Sequence, residues 1–149
     1  MATREIKRRK FYTDQTKHEL YKRLVETKTS PFYKKTMKDI FILSAAMGYY
    51  YGVRKPLGKR RDIADILVFT EVDWWILNSI AFATIGDLRI ITDRAKVLDI
   101  AEEYANWGID LLYDLVIKSG VSSKLEVIKN LDLKISEIID KILKVKETE

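Results

Sequence analysis

Residues that break helices are scarce in this chain, and most fall where its apolar spacing lapses. Pro31, Gly52, Pro56, Gly58, Gly86 and Gly120 punctuate the sequence, and only Gly48 and Gly108 stand inside periodic stretches. Between the breaks, apolar residues recur three or four positions apart, the spacing that lines one face of a helix. A chain punctuated in this way is expected to be built mainly from helices, in one domain's length of 149 residues.

The pattern predicts about five helices. Thr13 or Asp14 is expected to cap the first, which runs to about Thr29 with His18, Leu20, Tyr21, Leu24 and Val25 at helical spacing. It stops at "TSPF", because Ser30 precedes a proline and is pushed from the α region. The second, about Tyr33 to Tyr51, carries Met37, Ile40, Phe41, Ser44, Ala45 and Gly48 on one stripe. Small residues in its middle let another helix approach closely, so it is read as the central core helix. Gly52 closes it, where a left-handed backbone costs least. "DIADILVFTEV" is open between a short helix and a strand. Asp73 is expected to cap "WWILNSIAFATIG", which ends at Gly86 and is apolar nearly all round, a pattern that predicts burial. "DLRIITD" connects it to a long helix from Thr92 or Asp93 to about Lys118. The core face there is Val97, Leu98, Ala101, Tyr104, Ala105, Gly108, Leu111, Leu112 and Leu115. From Ser122 or Ser123 onward, Ile128, Leu131, Ile135, Ile138, Ile142 and Val145 form a seven-residue apolar repeat.

The expected fold is therefore all-α, with minor β near residues 54–70. Residues 1–11 read as a mobile basic arm, 12–120 as the helical core domain and 121–149 as an amphipathic heptad helix. Isoleucines at both core positions of that repeat suit either packing within the domain or a homo-oligomer. The longest uncharged run, residues 40–53, is shorter than the roughly 20 residues a membrane span needs. No membrane partner is expected. The start "MATREIKRRK" lacks the apolar stretch of a secretory signal, and the chain has no cysteine. Both observations predict a cytoplasmic protein. Few Asn and Gln beside abundant Lys and Ile lean towards a thermophilic source.

Charge is divided along the chain. Residues 1–61 hold 17 Lys/Arg against 5 Asp/Glu, a balance of +12; residues 62–149 hold 10 against 17, a balance of −7. The basic half suggests a polyanionic partner; alternatively, the halves neutralise each other when folded. Its densest part is "MGYYYGVRKPLGKRR". Residues 49–51 of a helix point about 100° apart, so Tyr51 continues the core face while Tyr49 or Tyr50 reaches the surface. Exposed aromatics beside Arg54, Lys55, Lys59, Arg60 and Arg61 suit a strand whose bases stack while cations follow phosphates. Arg8, Arg9 and Lys10 of the arm add to the same surface. The alternative is a solvated loop after a buried helix.

Chemistry-bearing clusters point elsewhere. Asp99, Glu103, Asp110 and Asp114, with Asn106 between them, share one face of the long helix. They could hold a divalent cation, or serve as the solvated or partner-facing side of that helix. No lysine stands among them in "EEYANWGIDLL", as a nuclease would require. His18 is the single histidine, which excludes a multi-histidine metal site and leaves it a structural role. "GVRKPLGKR" lacks the spacing of a phosphate loop. No catalytic residue, metal site or cofactor is expected.

The order of "FYKKTMKDIFILSAAMGYYYGVRKPL", "LNSIAFATIGDLRIITD" and "IAEEYANWGI" resembles the DNA phosphorothioation-associated protein 4 family, over roughly residues 32–115. Trp107 departs from that pattern, in which a smaller residue is expected. The resemblance implies an accessory protein of Dnd-type defence systems, which mark DNA with sulfur and restrict unmarked invaders. It implies other defence-system subunits as partners and makes DNA the expected polyanion. The leading reading is a non-enzymatic, antiviral accessory protein that binds DNA through its basic half. The alternative is a protein–protein adaptor or oligomerisation subunit acting through the heptad helix and the acidic helix 93–118.

Overall fold

The computed structural model describes residues 8–118. Four α-helices and one two-stranded antiparallel ribbon make up this part: β1 (Lys10–Asp14), α1 (His18–Glu26), α2 (Met37–Tyr51), β2 (Arg60–Asp65), α3 (Glu71–Ile85) and α4 (Arg94–Tyr113). The mainly helical fold with minor β is as the spacing predicts. The predicted fifth helix, with Ile128, Leu131, Ile135, Ile138, Ile142 and Val145, lies outside the described residues.

The centre is the antiparallel pairing of α2 with α4, where Gly48 faces Tyr104 and Gly108 faces Ser44. A Cβ on Gly108 would stand 1.9 Å from the Ser44 carbonyl oxygen, and one on Gly48 would stand 2.2 Å from that of Tyr104. Glycine inside a helix costs roughly 0.5–1 kcal/mol relative to alanine. Here it permits backbone-to-backbone contact, which explains the small residues on the α2 stripe. Thr36 and Asp39 cap α2 reciprocally, each side chain accepting the other's backbone N–H. That cap starts the helix at Met37 rather than Tyr33, and Lys34 turns the preceding segment with φ 66°. Gly52 ends α2 at φ 71°, as expected.

The largest departure is at the amino end. Lys10 and Phe11, expected in a mobile arm, begin β1, and Thr13 and Asp14 belong to the strand rather than to a helix. Asp14 caps the short 3-10 turn Gln15–Lys17 that leads into α1. Lys10 stands opposite Asp65 and Asp14 opposite Arg60, with an irregularity between Phe11 and Tyr12. The strand is held by Phe11, which has no solvent exposure and lies 4.8 Å from the Phe41 ring and 4.6 Å from that of Phe69. The ambiguous "DIADILVFTEV" resolves into the end of β2, a 3-10 turn at Ile66–Val68 and the start of α3.

Thr70, not Asp73, caps α3; Asp73 completes the reciprocal cap from the third helical position. Its carboxylate also receives the Lys38 ammonium at 2.8 Å, which ties the first turns of α2 and α3 together. Burial pushes the Asp73 carboxyl up, but Lys38 and the Thr70 amide outweigh it and hold the group below its ordinary value. The expected burial of α3 holds for Leu77, Ile80 and Ala81 alone. Trp75 is 61% exposed and Val72 57%, because α2 and α4 cover one side only. Asp93 caps α4 as expected, and one π-helical turn, Asp114–Lys118, follows it. No helix among the described residues is long and apolar enough to cross a membrane.

Candidate nucleic-acid interface

The loop between α2 and β2 is pinned at both ends. On one side Lys55 donates its N–H to the Glu103 carbonyl (3.0 Å), and the Asn106 amide donates to the carbonyls of Lys55 and Pro56 (3.2 Å each). On the other, Gly58 donates its N–H to the Asp14 carboxylate (2.7 Å), and Gln15 donates to the Lys59 carbonyl (2.7 Å). The Gly58 and Thr16 amides hold the Asp14 carboxyl below its ordinary range. Residues 54–61 are thus held in one arrangement between α4 and the β1–α1 junction, rather than hanging as a free loop.

This loop presents Arg54, Lys55, Lys59, Arg60 and Arg61, all exposed. Arg54, Lys55, Lys59 and Arg61 pair with no carboxylate among the described residues. Arg60 lies 3.8 Å from Asp99 and remains half exposed. Arg61 also stands near His18, whose charged form is disfavoured by burial and then by that guanidinium, so the imidazole titrates below its usual value. Aromatic rings back the cations. The Arg54 guanidinium sits 5.6 Å over the Tyr104 ring, which meets Tyr49 edge to face at 5.8 Å. Tyr50, 50% exposed, meets Tyr51 at 5.4 Å, and Tyr51 packs on Trp107 at 5.5 Å. Trp107, the departure from the family pattern, therefore supports the tyrosine cluster.

The arm cations do not all join this surface. Arg8 is drawn inward: its guanidinium donates to the Ala95 carbonyl (3.2 Å), to Asp99 (2.7 Å) and to Glu102, leaving the side chain 12% exposed. A phosphate cannot displace those carboxylates without opening the fold, so Arg8 is a structural residue. Arg9 and Lys10 are exposed, but β1 carries them to the far end of the ribbon. Four residues of strand separate Lys10 from the position opposite Arg60, about 13 Å. The expected surface is therefore divided, with its dense part at residues 54–61.

Part of the charge division is neutralised internally. Asp99 meets Arg8 and Arg60, and Asp110 receives Lys17 at 2.5 Å. The acidic side of α4 is thus turned in part towards the amino-terminal segment. No group of three or more His, Asp and Glu side chains among the described residues gathers to hold a metal ion.

Sequence reasoning missed two residues that shape the site. Glu102, its side chain 1% exposed, binds Arg8 and accepts the Tyr12 N–H at 2.6 Å. Burial pushes its carboxyl above the ordinary value in spite of Arg8. Tyr12 in turn lies under two guanidiniums, Arg8 at 5.1 Å and Arg60 at 5.7 Å. Asn106 anchors the loop. A signal existed: Glu102 and Asn106 stand four apart, flanking the Leu98–Ala105 stripe, where a polar side chain needs a buried partner.

A family model described as DNA sulphur modification system-associated protein 4 matches residues 10–140, most of the chain. No curated protein and no solved structure matches it.

Proposed function

Since this chain belongs to the DNA sulphur modification system-associated protein 4 family, we propose that its part in such a system is to bind DNA through the pinned basic loop. The family sets the context: an accessory component of a DNA sulphur modification machinery, working beside other subunits. The observation that carries the reading is the immobilised row of Arg54, Lys55, Lys59, Arg60 and Arg61, four of them without carboxylate partners among the described residues. Fixed cations lose little conformational freedom on meeting phosphates, and each neutralised phosphate releases counterions.

Tyr50 supplies an exposed ring beside this row, where a base or sugar can pack. Contacts of this kind give affinity without sequence preference. The protein thus acts as a non-enzymatic DNA-binding accessory, antiviral in the setting of a defence system. The experiment is a gel shift with single- and double-stranded DNA over a salt series. Binding that weakens steeply with salt, equally across sequences, is expected. Binding indifferent to salt overturns the reading and leaves the adaptor role, with a protein subunit as partner.

A further inference from the structure

The outer face of α3 is apolar and has no cover among the described residues. Val72, Trp75, Ile76 and Ala83 recur on it three, four and seven residues apart. With Ala46 and Tyr49 of α2 they line an open groove of about 500 Å³. Such a patch on a soluble surface marks an interaction site. The chain supplies a matching element. Beyond Lys118 lie 31 residues (149 − 118), and within them Ile128, Leu131, Ile135, Ile138, Ile142 and Val145 form a continuous apolar stripe. As a helix, that stripe spans about 26 Å, against about 21 Å for α3.

Position and reach agree. Because α4 runs antiparallel to α2, it ends towards the first turn of α2, which Lys38 ties to the first turn of α3. The ten residues from Lys118 to Ile128 can span up to about 33 Å, more than is needed to turn back along α3. Covalent attachment also gives the segment a local concentration in the millimolar range, which favours it over a free partner. We propose that residues 121–149 fold back as a helix and seat their isoleucine stripe on the α2–α3 groove of the same chain. The inference does not rest on the DNA-binding reading, since it uses none of the loop cations.

The chain has no cysteine, so disulfide trapping can be read cleanly in the full-length protein. Ser79→Cys, an exposed position in the groove, is combined in turn with Leu131→Cys, Ile135→Cys or Ile138→Cys, and each pair is oxidised at low micromolar protein. A bond forms only when the two Cα atoms come within about 7 Å. At least one pair is expected to give a faster-migrating monomer on a non-reducing gel, restored by reductant. Lys134→Cys, off the stripe, should react at least fivefold more slowly. Adding Val72→Arg, an exposed change that leaves the core intact, should reduce the internal bond at least fivefold. Bonds formed only between chains would place a second copy on the groove and overturn the proposal; so would the absence of a bond from every tail position.

Discussion

The DNA-binding reading makes a quantitative demand on salt dependence. Log K falls with log salt by about 0.9 for each duplex phosphate neutralised. If Arg54, Lys55, Lys59, Arg60 and Arg61 each meet one phosphate, the slope is about −4.5. A rise from 50 to 200 mM salt is then expected to weaken binding about 500-fold. The combined Arg54→Ala, Arg60→Ala and Arg61→Ala variant keeps two contacts and a slope of about −1.8, so the same rise costs it about 12-fold. The loop itself should persist, because its anchors are the Asn106 amide, the Asp14 carboxylate and backbone groups rather than these three side chains. Unchanged circular dichroism checks that. The assay is fluorescence anisotropy with labelled duplexes of several sequences at four or more salt concentrations. A double change of Lys34→Ala and Lys35→Ala, exposed cations on the α1–α2 connection, should leave the slope alone. Equal slopes for the triple variant and the native protein would refute the assignment, as would a slope lowered equally by the Lys34 and Lys35 changes.

Three further outcomes follow from the packing. Gly108→Ala gains helix propensity but drives a methyl into the Ser44 backbone; separation of α2 from α4 should cost about 3 kcal/mol, measured by urea denaturation. Arg8→Ala leaves the Glu102 carboxylate buried without its partner and should cost about 3–5 kcal/mol, whereas Arg8→Met with Glu102→Leu should recover most of the loss. Because the folded state holds His18 below its ordinary value, the unfolded chain takes up that proton first as pH falls. Stability should therefore be flat above pH 7 and decline from about 6.5 downward, well before the carboxylates of Asp14, Asp39 and Asp73 lose theirs below their ordinary range near pH 4. His18→Gln should flatten the upper part of that decline in urea midpoints measured at pH 7.5 and 5.5.

The helical framework was legible because it is written locally. The stripes of α2 and α4, and the glycines that end α2 and α3, need no knowledge of distant residues. β1 was not legible: "KFYTD" is short, and Asp14 reads as a helix cap because it is one, for the turn that follows. What makes the segment a strand is pairing with residues some fifty positions later and the docking of Phe11 between Phe41 and Phe69. Hydrophobicity likewise marks α3 as needing cover but does not say which element provides it. The same distinction divides the site. Arg54 to Arg61 could be found because they are neighbours in sequence; the capture of Arg8 could not, since its carboxylates lie on α4.

The ribbon also sets an order of events during synthesis. Arg8 leaves the ribosome 94 residues before Glu102, an interval of about 5–20 s at typical elongation rates. Throughout it, Phe11 and the unpaired strand have no permanent resting place, and a chain stalled before α4 holds a strand with nothing to receive its arginine. Completion of the long helix is therefore what locks the oldest part of the chain, so premature stops within residues 94–113 should yield protein prone to clump rather than a smaller working domain.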